Sequence, residues 1–253
     1  MKTRAAMSAL LAVFLTLGSA VALQAQIIQD AESQLRLKWL DLKRNAALHP
    51  DERVQRVVSC LAYAIIDVVP EEFQALNWEV LVIDDPGFRN AEVLPEGKII
   101  VYSGIFQAAD TTEKLAAVIG HEVAHLTENH VKERVRRATG TGLLGTLGGA
   151  VTGLGGGSQQ AARVLFQLPY QREQEREADV TGMMYMARAG YNPVATIDLW
   201  KGMSAGREGA PPEWLTTHPD PELRLQFLAR NLTPALLAYN ESLDAGVRPL
   251  CRL

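Results

Sequence analysis

Residues 121–130 read HEVAHLTENH, and the reading of this decapeptide decides what kind of fold the chain has. Two histidines stand four apart, with a glutamate directly after the first. On a helix, residues four apart project from one face with Cβ atoms about 6 Å from each other, so His121 and His125 are close enough to grip one ion. Val123, Ala124 and Leu126 are apolar, which gives the imidazoles a partly buried setting. Glu122 is turned about 100° from His121, out of the direct ligand position yet near a water held by the ion. A hydrolytic zinc site needs that arrangement. The metal lowers the pKa of its water towards about 7, and a carboxylate takes the proton as hydroxide attacks a polarised carbonyl.

The string also arises by chance in unrelated chains, so the test is what it demands elsewhere. A catalytic zinc wants three protein ligands and an open fourth position. The remaining histidines are His49, His130 and His218. His49 falls in an interhelix turn and reads as solvated. His130 lies nine residues from His121, on the opposite side of a continuous helix, and cannot complete the site without a sharp bend. His218 stays open. Carboxylates offer a stronger third ligand. In QREQEREADVTGMMYMARAG, residues 171–190, Glu175 and Asp179 share a helical face that continues through Gly182, Met183 and Met186, while Glu173 and Glu177 lie across from them on a face that continues to Arg188. Inward carboxylates beside an apolar stripe need positive charge or strong donors. Zinc bound by Glu175, with Asp179 accepting the free N–H of a ligating histidine, satisfies both. The alternative is a surface helix held by i, i+4 charge pairs.

Around these segments the pattern predicts a mostly helical α+β domain. Residues 30–47 and 51–69 show helical apolar spacing and are separated by His49-Pro50. Trp78–Ile83, Asn90–Leu94 and Lys98–Tyr102 are short β-branched runs divided by Asp85-Pro86-Gly87 and Pro95-Glu96-Gly97, which predicts a small, largely antiparallel sheet. Asp110 with Glu113 forms a capping box for a helix running through HEVAH to about Arg137. A further helix starts near Arg172 and stops at Gly190, Asn192-Pro193 starts the next, and Asp220-Pro221 starts a last one reaching about Arg230. Between residues 139 and 157 glycine recurs too often for a stable isolated helix. This stretch reads as a loosely packed mobile insert, as an active-site lid or as a membrane-contacting flap.

The first residues set the compartment. Lys2 and Arg4, an apolar run from Ala5 to Leu17 and the small residues Ala20, Ala22 and Ala25 have the layout of a signal peptide over residues 1–25, leaving one domain over residues 26–253. An uncleaved anchor is the alternative, although the run is short for a bilayer. The formal net charge is −4, and losing Lys2 and Arg4 takes it to −6, a balance that offers nucleic acid nothing. Cys60 and Cys251 are the two cysteines. Cys60 falls on the helix face opposite the stripe of Val54, Val57, Val58, Leu61, Ile65 and Val68. In an oxidising compartment a Cys60–Cys251 disulfide would tie down the C-terminal tail, and two independent thiols are the other reading.

His121-Glu122-Val123-Ala124-His125 followed by Glu175, Ala178 and Asp179 resembles the HtpX-like and Ste-type zinc metalloendopeptidases, and the periplasmic BepA-like and LoiP-like members above all. Asn90-Ala91 with Pro95, Gly97, Ile99, Val101 and Gly104 is similar to that family's edge-strand segment. Ala189-Gly190-Tyr191-Asn192-Pro193 is similar to its turn after the third ligand, and Thr217-His218-Pro219 with Arg224 to its C-terminal His-Pro motif. The resemblance implies a gluzincin with one Zn2+, ligated by His121, His125 and Glu175, with Glu122 as general base and Asp179 behind the ligands. It brings His218 near the metal, either in the open position or hydrogen-bonding an oxyanion; a packed His-Pro turn is the plain alternative. Arg224 either neutralises a site carboxylate or lies on the solvent face of the last helix. The expected activity is endoproteolysis of unfolded envelope polypeptides in the periplasm, with the substrate pairing along Asn90, Ala91, Glu92 and Val93. A contact with the outer-membrane assembly machinery, or with membrane through residues 139–157, belongs to the same expectation. The competing class is a zinc-stabilised holdase with little proteolytic activity.

Overall fold

The computed structural model describes residues 29, 31–140, 168–205, 213–219, 221–249 and 251. The expected leader over residues 1–25, the glycine-rich stretch from 141 to 157 and the Asp220 cap lie outside them.

Three strands, β1 (Glu79–Ile83), β2 (Ala91–Leu94) and β3 (Lys98–Tyr102), form one sheet in the order β1-β3-β2. β3 runs antiparallel to β2 and parallel to β1, so the largely antiparallel sheet expected from the turns is in fact mixed. The two connections differ in kind. Pro95-Glu96-Gly97 is a tight reversal in which Glu96 and Gly97 both take positive φ, 63° and 76°, and it folds β3 directly back on β2. Residues 84–90 instead carry the chain past the place that β3 fills, so β1 and β3 become parallel neighbours. A Cβ on Gly97 would stand 2.7 Å from Trp78 Cδ2, so both the turn and the packing ask for glycine.

Period-two alternation splits the sheet residues between two layers. A helix over residues 31–45, α1, packs on one face, where Trp39 meets Leu81, Ile83, Leu94 and Ile100. Lys38–Glu92, Lys43–Glu79 and Arg36–Glu96 ion pairs lie between α1 and the sheet region. Val82, Ala91, Val93, Ile99 and Val101 face the other way, into the main core with the remaining helices. There α2 (Glu52–Ile66) begins where the Asp51 carboxylate accepts the Arg53 N–H at 2.8 Å, and it buries Val58, Leu61, Ala62, Ile65 and Ile66. Its exposed Cys60 is joined by a disulfide to Cys251, holding the end of the chain against α2. A single turn, α3 (Glu71–Gln74), leads to β1.

The metal-binding segment departs from expectation at both ends. Helix α4 (Thr112–Thr127) is capped by Thr111, whose hydroxyl accepts the Lys114 N–H, while Asp110 pairs with the Lys114 ammonium at 2.7 Å. The helix also does not continue to Arg137. Asn129 takes φ 61°, a left-handed conformation that asparagine tolerates better than most residues, and a new helix, α5 (His130–Gly140), starts immediately after it. Burial of His130, Val131, Arg134 and Val135 favours the break.

Helix α6 (Arg172–Arg188) opens with reciprocal Gln171–Gln174 hydrogen bonds. It closes at Gly190, φ 83°, where the Gly190 and Tyr191 N–H groups bond the carbonyls of Ala187 and Met186. Helix α7 (Val194–Ala205) follows from Asn192, whose side chain accepts the Val194 N–H at 3.0 Å, then the short α8 (Glu213–Thr217). The last helix, α9 (Pro221–Asp244), runs well past Arg230 and through Pro234. Pro234 removes one backbone hydrogen bond, but burial of Leu228 before it and Ala235 after it, with the Ser242 hydroxyl bond to the Ala187 carbonyl, holds α9 against its neighbours α6 and α7 on both sides of the proline.

The contact that positions the site is between α4 and α6. A Cβ built on Gly182 would lie 2.7 Å from the Gly120 carbonyl carbon, and one on Gly120 equally close to the Gly182 carbonyl oxygen. The two backbones touch, and no side chain fits between them. Gly182→Ala is therefore expected to destabilise the chain by about 1–3 kcal/mol through overpacking. Gly202→Ala, where a Cβ meets nothing within 4 Å on helix α7, should be neutral or mildly stabilising. Urea unfolding of the two variants beside the parent checks this, and equal stability of all three would show that the α4–α6 contact is loose.

Candidate metal centre

Because α4 and α6 touch at Gly120 and Gly182, His121 and His125 on one helix meet Glu175 on the other; α8 ends against the same point and delivers His218. All four are buried, with one donor atom from each within 4.8 Å of every other. The Nε2 atoms of His121 and His125 are 3.0 Å apart, and His218 Nδ1 is 3.2 Å from His121 Nε2 and 2.9 Å from Glu175 Oε1. Glu175 Oε1 lies 3.4 Å from His125 Nε2. Zinc–nitrogen bonds of about 2.0–2.1 Å in a tetrahedron put neighbouring donors about 3.3 Å apart. The four spacings bracket that value and every pair of donors lies within 4.8 Å, so the set is close enough to share one cation.

The electrostatics lead to the same fit. Three buried carboxylates, Glu122, Glu175 and Asp179, converge here, and Arg224 is the guanidinium in contact with two of them. Arg224 binds Asp179 through both Nε, at 2.8 Å, and Nη2, at 2.6 Å, a fork-to-fork pairing. Its Nη1 stands 2.6 Å from Glu175 Oε2, an ion-pair distance without the angle of a hydrogen bond. Its guanidinium also lies 3.6 Å over the Trp200 ring. Asp179 Oδ1 is 3.2 Å from His121 Nδ1, on the side of the ring away from the other donors.

Burial works against the carboxylate form of Asp179, but Arg224 outweighs it and holds the carboxyl below its usual range. Burial likewise works against Glu175, and His218, Arg224 and the other imidazoles hold it well below the ordinary value. The His121 imidazole is desolvated too, yet hydrogen bonds to Asp179 and Glu175 keep its pKa up at about 9. The carboxylates thus stabilise a positive charge at this point. Burial drives His125 well below 6.5 and His218 down to about 4, so both present uncharged nitrogens at neutral pH, the form that ligates. Glu122 is different: burial pushes its carboxyl up to about 8, and its Oε1 has no hydrogen-bond partner, with His218 Nε2 3.4 Å away. A carboxyl that is buried, unpartnered and beside a donor cluster is placed to exchange protons near neutral pH.

His121, Glu122, His125, Glu175, Asp179, His218 and Arg224 all gather within this one site. Of the two placements left open for Arg224, burial at 2% exposure excludes the solvent face. Three residues escaped the sequence reading. Tyr170 stacks on His125, ring centroids 3.7 Å apart, with Arg134 over the same tyrosine ring. Trp214 sits 5.9 Å from the His121 ring and 5.5 Å from that of His218. Neither aromatic belongs to a recognisable spacing pattern. His130, set aside for lying on the wrong side of a continuous helix, is returned to His125 by the break at Asn129. His49, expected to be solvated, is half-buried, with its ring edge-on to Phe106.

The candidate edge strand lies beside α4. Among the described residues β2 pairs with β3 along one side and with no strand along the other. Asn90 is buried and its side-chain carbonyl accepts the Ala91 N–H; Glu92 is held by Lys38 and the Tyr102 hydroxyl, and Ala91 and Val93 point into the core. The side chains are all committed, so any binding along this edge falls to the backbone.

A family model described as Peptidase family M48 matches residues 48–232. Among curated proteins, the chain is similar to the mitochondrial metalloendopeptidase OMA1 of Saccharomyces cerevisiae, 32% identical over 174 residues that cover 66% of this chain and 50% of that protein. It is similar to the mitochondrial metalloendopeptidase OMA1 of Homo sapiens, 30% identical over 176 residues covering 64% and 33%. It is also similar to the Beta-barrel assembly-enhancing protease of Escherichia coli, 29% identical over 154 residues covering 54% and 31%. The chain spans about half the length of these relatives, or less.

The Arg224 contacts yield a signed prediction for the metal-free protein. A carboxyl whose folded pKa is depressed contributes stability above its unfolded value, and loses it as pH falls through the folded one. Arg224→Met should therefore cost about 3–5 kcal/mol near neutral pH, because it strands Asp179 and Glu175 in the interior. The gap between variant and parent should narrow as pH drops below the ordinary carboxylate range. Denaturant midpoints of chelator-treated proteins across pH test this, and a gap that stays constant with pH would contradict the assignment.

Proposed function

Since the chain belongs to peptidase family M48, we propose that it is a zinc-dependent endopeptidase that cuts unfolded or misfolded polypeptides, acting in the cell envelope after export to the periplasm. The observation carrying this reading is the buried quartet of His121, His125, Glu175 and His218 with the unpartnered carboxyl of Glu122 beside it. The basic and apolar start of the sequence supports export, and the name of the Escherichia coli relative supports a place near β-barrel assembly. No helix among the described residues is long and apolar enough to cross a membrane.

Zn2+ held by these residues supplies a Lewis acid that acidifies water and polarises a carbonyl. The protein's own groups do the rest. An extended substrate adds its backbone along the outer edge of β2, from Asn90 to Val93, which favours unfolded chains because folded ones keep their backbone paired. Glu122 Oε1 takes a proton from the attacking water and returns it to the leaving nitrogen, a task for which its buried place beside the donor cluster suits it. Asp179, whose Oδ1 lies 3.2 Å from His121 Nδ1, favours the tautomer of that ring that leaves Nε2 free, and Arg224 fixes Asp179 in turn. His218, with its Nδ1 2.9 Å from Glu175 Oε1, would join the donors in a resting state and, turned towards a bound substrate, would donate to the oxyanion.

The four-donor closure by His218 also favours a second reading, a zinc-stabilised holdase that binds exposed strands and rarely cuts. Glu122→Gln separates the two. The expected outcome is full zinc content, with casein hydrolysis down by about 10²- to 10⁴-fold, the usual worth of a general base. Cleavage at the parental rate would sink the assignment of Glu122. A parent protein that holds zinc and suppresses aggregation but never cuts would favour the holdase.

A further inference from the structure

One buried contact beside the donor cluster has no part in the chemistry above. His130, 2% exposed at the start of α5, places its Nδ1 3.0 Å from His125 Nδ1 and its Nε2 2.9 Å from Glu177 Oε2. On an unbroken helix it would point away from His125. The left-handed Asn129 folds it back, so the break and the contact are one feature. Glu177 comes from α6, two positions after Glu175, and is turned about 200° from it around the helix. One helix therefore supplies both the carboxylate in the donor cluster and the carboxylate behind His130.

Two facing Nδ1 atoms at 3.0 Å accommodate a single proton between them, so one ring donates and the other accepts. His125 has its Nε2 in the donor cluster, 3.0 Å from His121 Nε2 and 3.4 Å from Glu175 Oε1. Ligation through Nε2 requires its lone pair to be free, which puts the His125 proton on Nδ1. His130 Nδ1 must then accept, its own proton sits on Nε2, and that N–H points at the Glu177 carboxylate. Only this assignment satisfies every contact. The Tyr170 stack at 3.7 Å sets the plane of the His125 ring, and the bond to His130 sets its direction within that plane.

We propose that His130, backed by Glu177, is a positioning residue for the metal: it fixes the tautomer and orientation of His125 and makes that imidazole a stronger donor. The proposal rests on the zinc-site reading above. It gives the second histidine of HEVAH a carboxylate-terminated support through an intervening imidazole, Glu177–His130–His125, where His121 has Asp179 directly. Outer partners of ligating histidines commonly change metal affinity by about 10- to 100-fold.

The test uses the full chain with His130→Ala, His130→Asn and Glu177→Gln, read by zinc affinity in competition with a chromophoric chelator and by the visible absorption bands of the cobalt(II)-loaded protein. His130→Ala should weaken zinc about 10- to 100-fold and shift the cobalt bands. His130→Asn, whose side-chain oxygen comes close to the position of Nδ1, should recover most of the affinity. Glu177→Gln, at the half-exposed end, should give a smaller loss in the same direction, and it carries the test if His130→Ala does not fold. Parental affinity and spectrum in both His130→Ala and Glu177→Gln, or in the folded one of them, would overturn the proposal, as would His130→Asn binding zinc no better than His130→Ala. A parent chain that takes up no zinc would instead overturn the metal-site reading, and the relay with it.

Discussion

The site depends on two helix backbones being in contact. Gly120 and Gly182 leave no space for a Cβ on either side, and this close approach sets how far apart everything else on α4 and α6 can be. Glu175, Asp179 and Gly182 lie on one face of α6, while Gly120 directly precedes His121 on α4. When the glycines meet, the carboxylates are carried to the histidines. A gap of even one methyl group would move Glu175 away from the imidazoles by more than a coordination bond tolerates. The glycines therefore serve the chemistry through geometry alone.

That geometry concentrates charge that the interior would not otherwise accept. Glu122, Glu175 and Asp179 are each almost fully buried, and an isolated ionised carboxyl in such a place is unfavourable enough to take up a proton instead. Arg224 resolves the problem for Asp179 and much of it for Glu175, drawn in by the Trp200 face beneath it. Glu122 is left without a partner and takes the raised pKa that follows. Arg224 and the neighbouring imidazoles thus divide three carboxyl groups into two that remain anionic, able to ligate or to orient, and one that can exchange a proton. The division comes from position within the cluster, because the side chains themselves are equivalent.

Around this centre the rest of the fold acts as a frame. The sheet has one face under α1 and the other in the main core, and among the described residues no strand pairs with the outer edge of β2, beside α4. Glu92 is anchored by Lys38 and Tyr102, and the Cys60–Cys251 disulfide holds the chain end against α2. The strand edge and the donor cluster are kept in a fixed relation by elements that take no part in the chemistry.

Much of this was legible in the sequence because it is local. Helical periodicity is enough to pair His121 with His125 and Glu175 with Asp179, to recognise the inward face of α6, and to end that helix at Gly190. Short β-branched runs between proline and glycine turns are enough to find three strands. What periodicity cannot carry is how one element meets another. The parallel pairing of β1 and β3 follows from where residues 84–90 cross, and no turn residue encodes it. The break at Asn129 and the passage of α9 through Pro234 were decided by burial outweighing local preference. The positions of His130, Tyr170, Trp214 and Arg224 depend on contacts between different elements of the fold, or across a broken helix. The sequence alone determined which side chains were able to hold a cation, because that is a matter of residue type and helical spacing. Only the tertiary structure decided which ones converge, because convergence requires two backbones to touch, and contact between distant segments is set by the packing of the whole core.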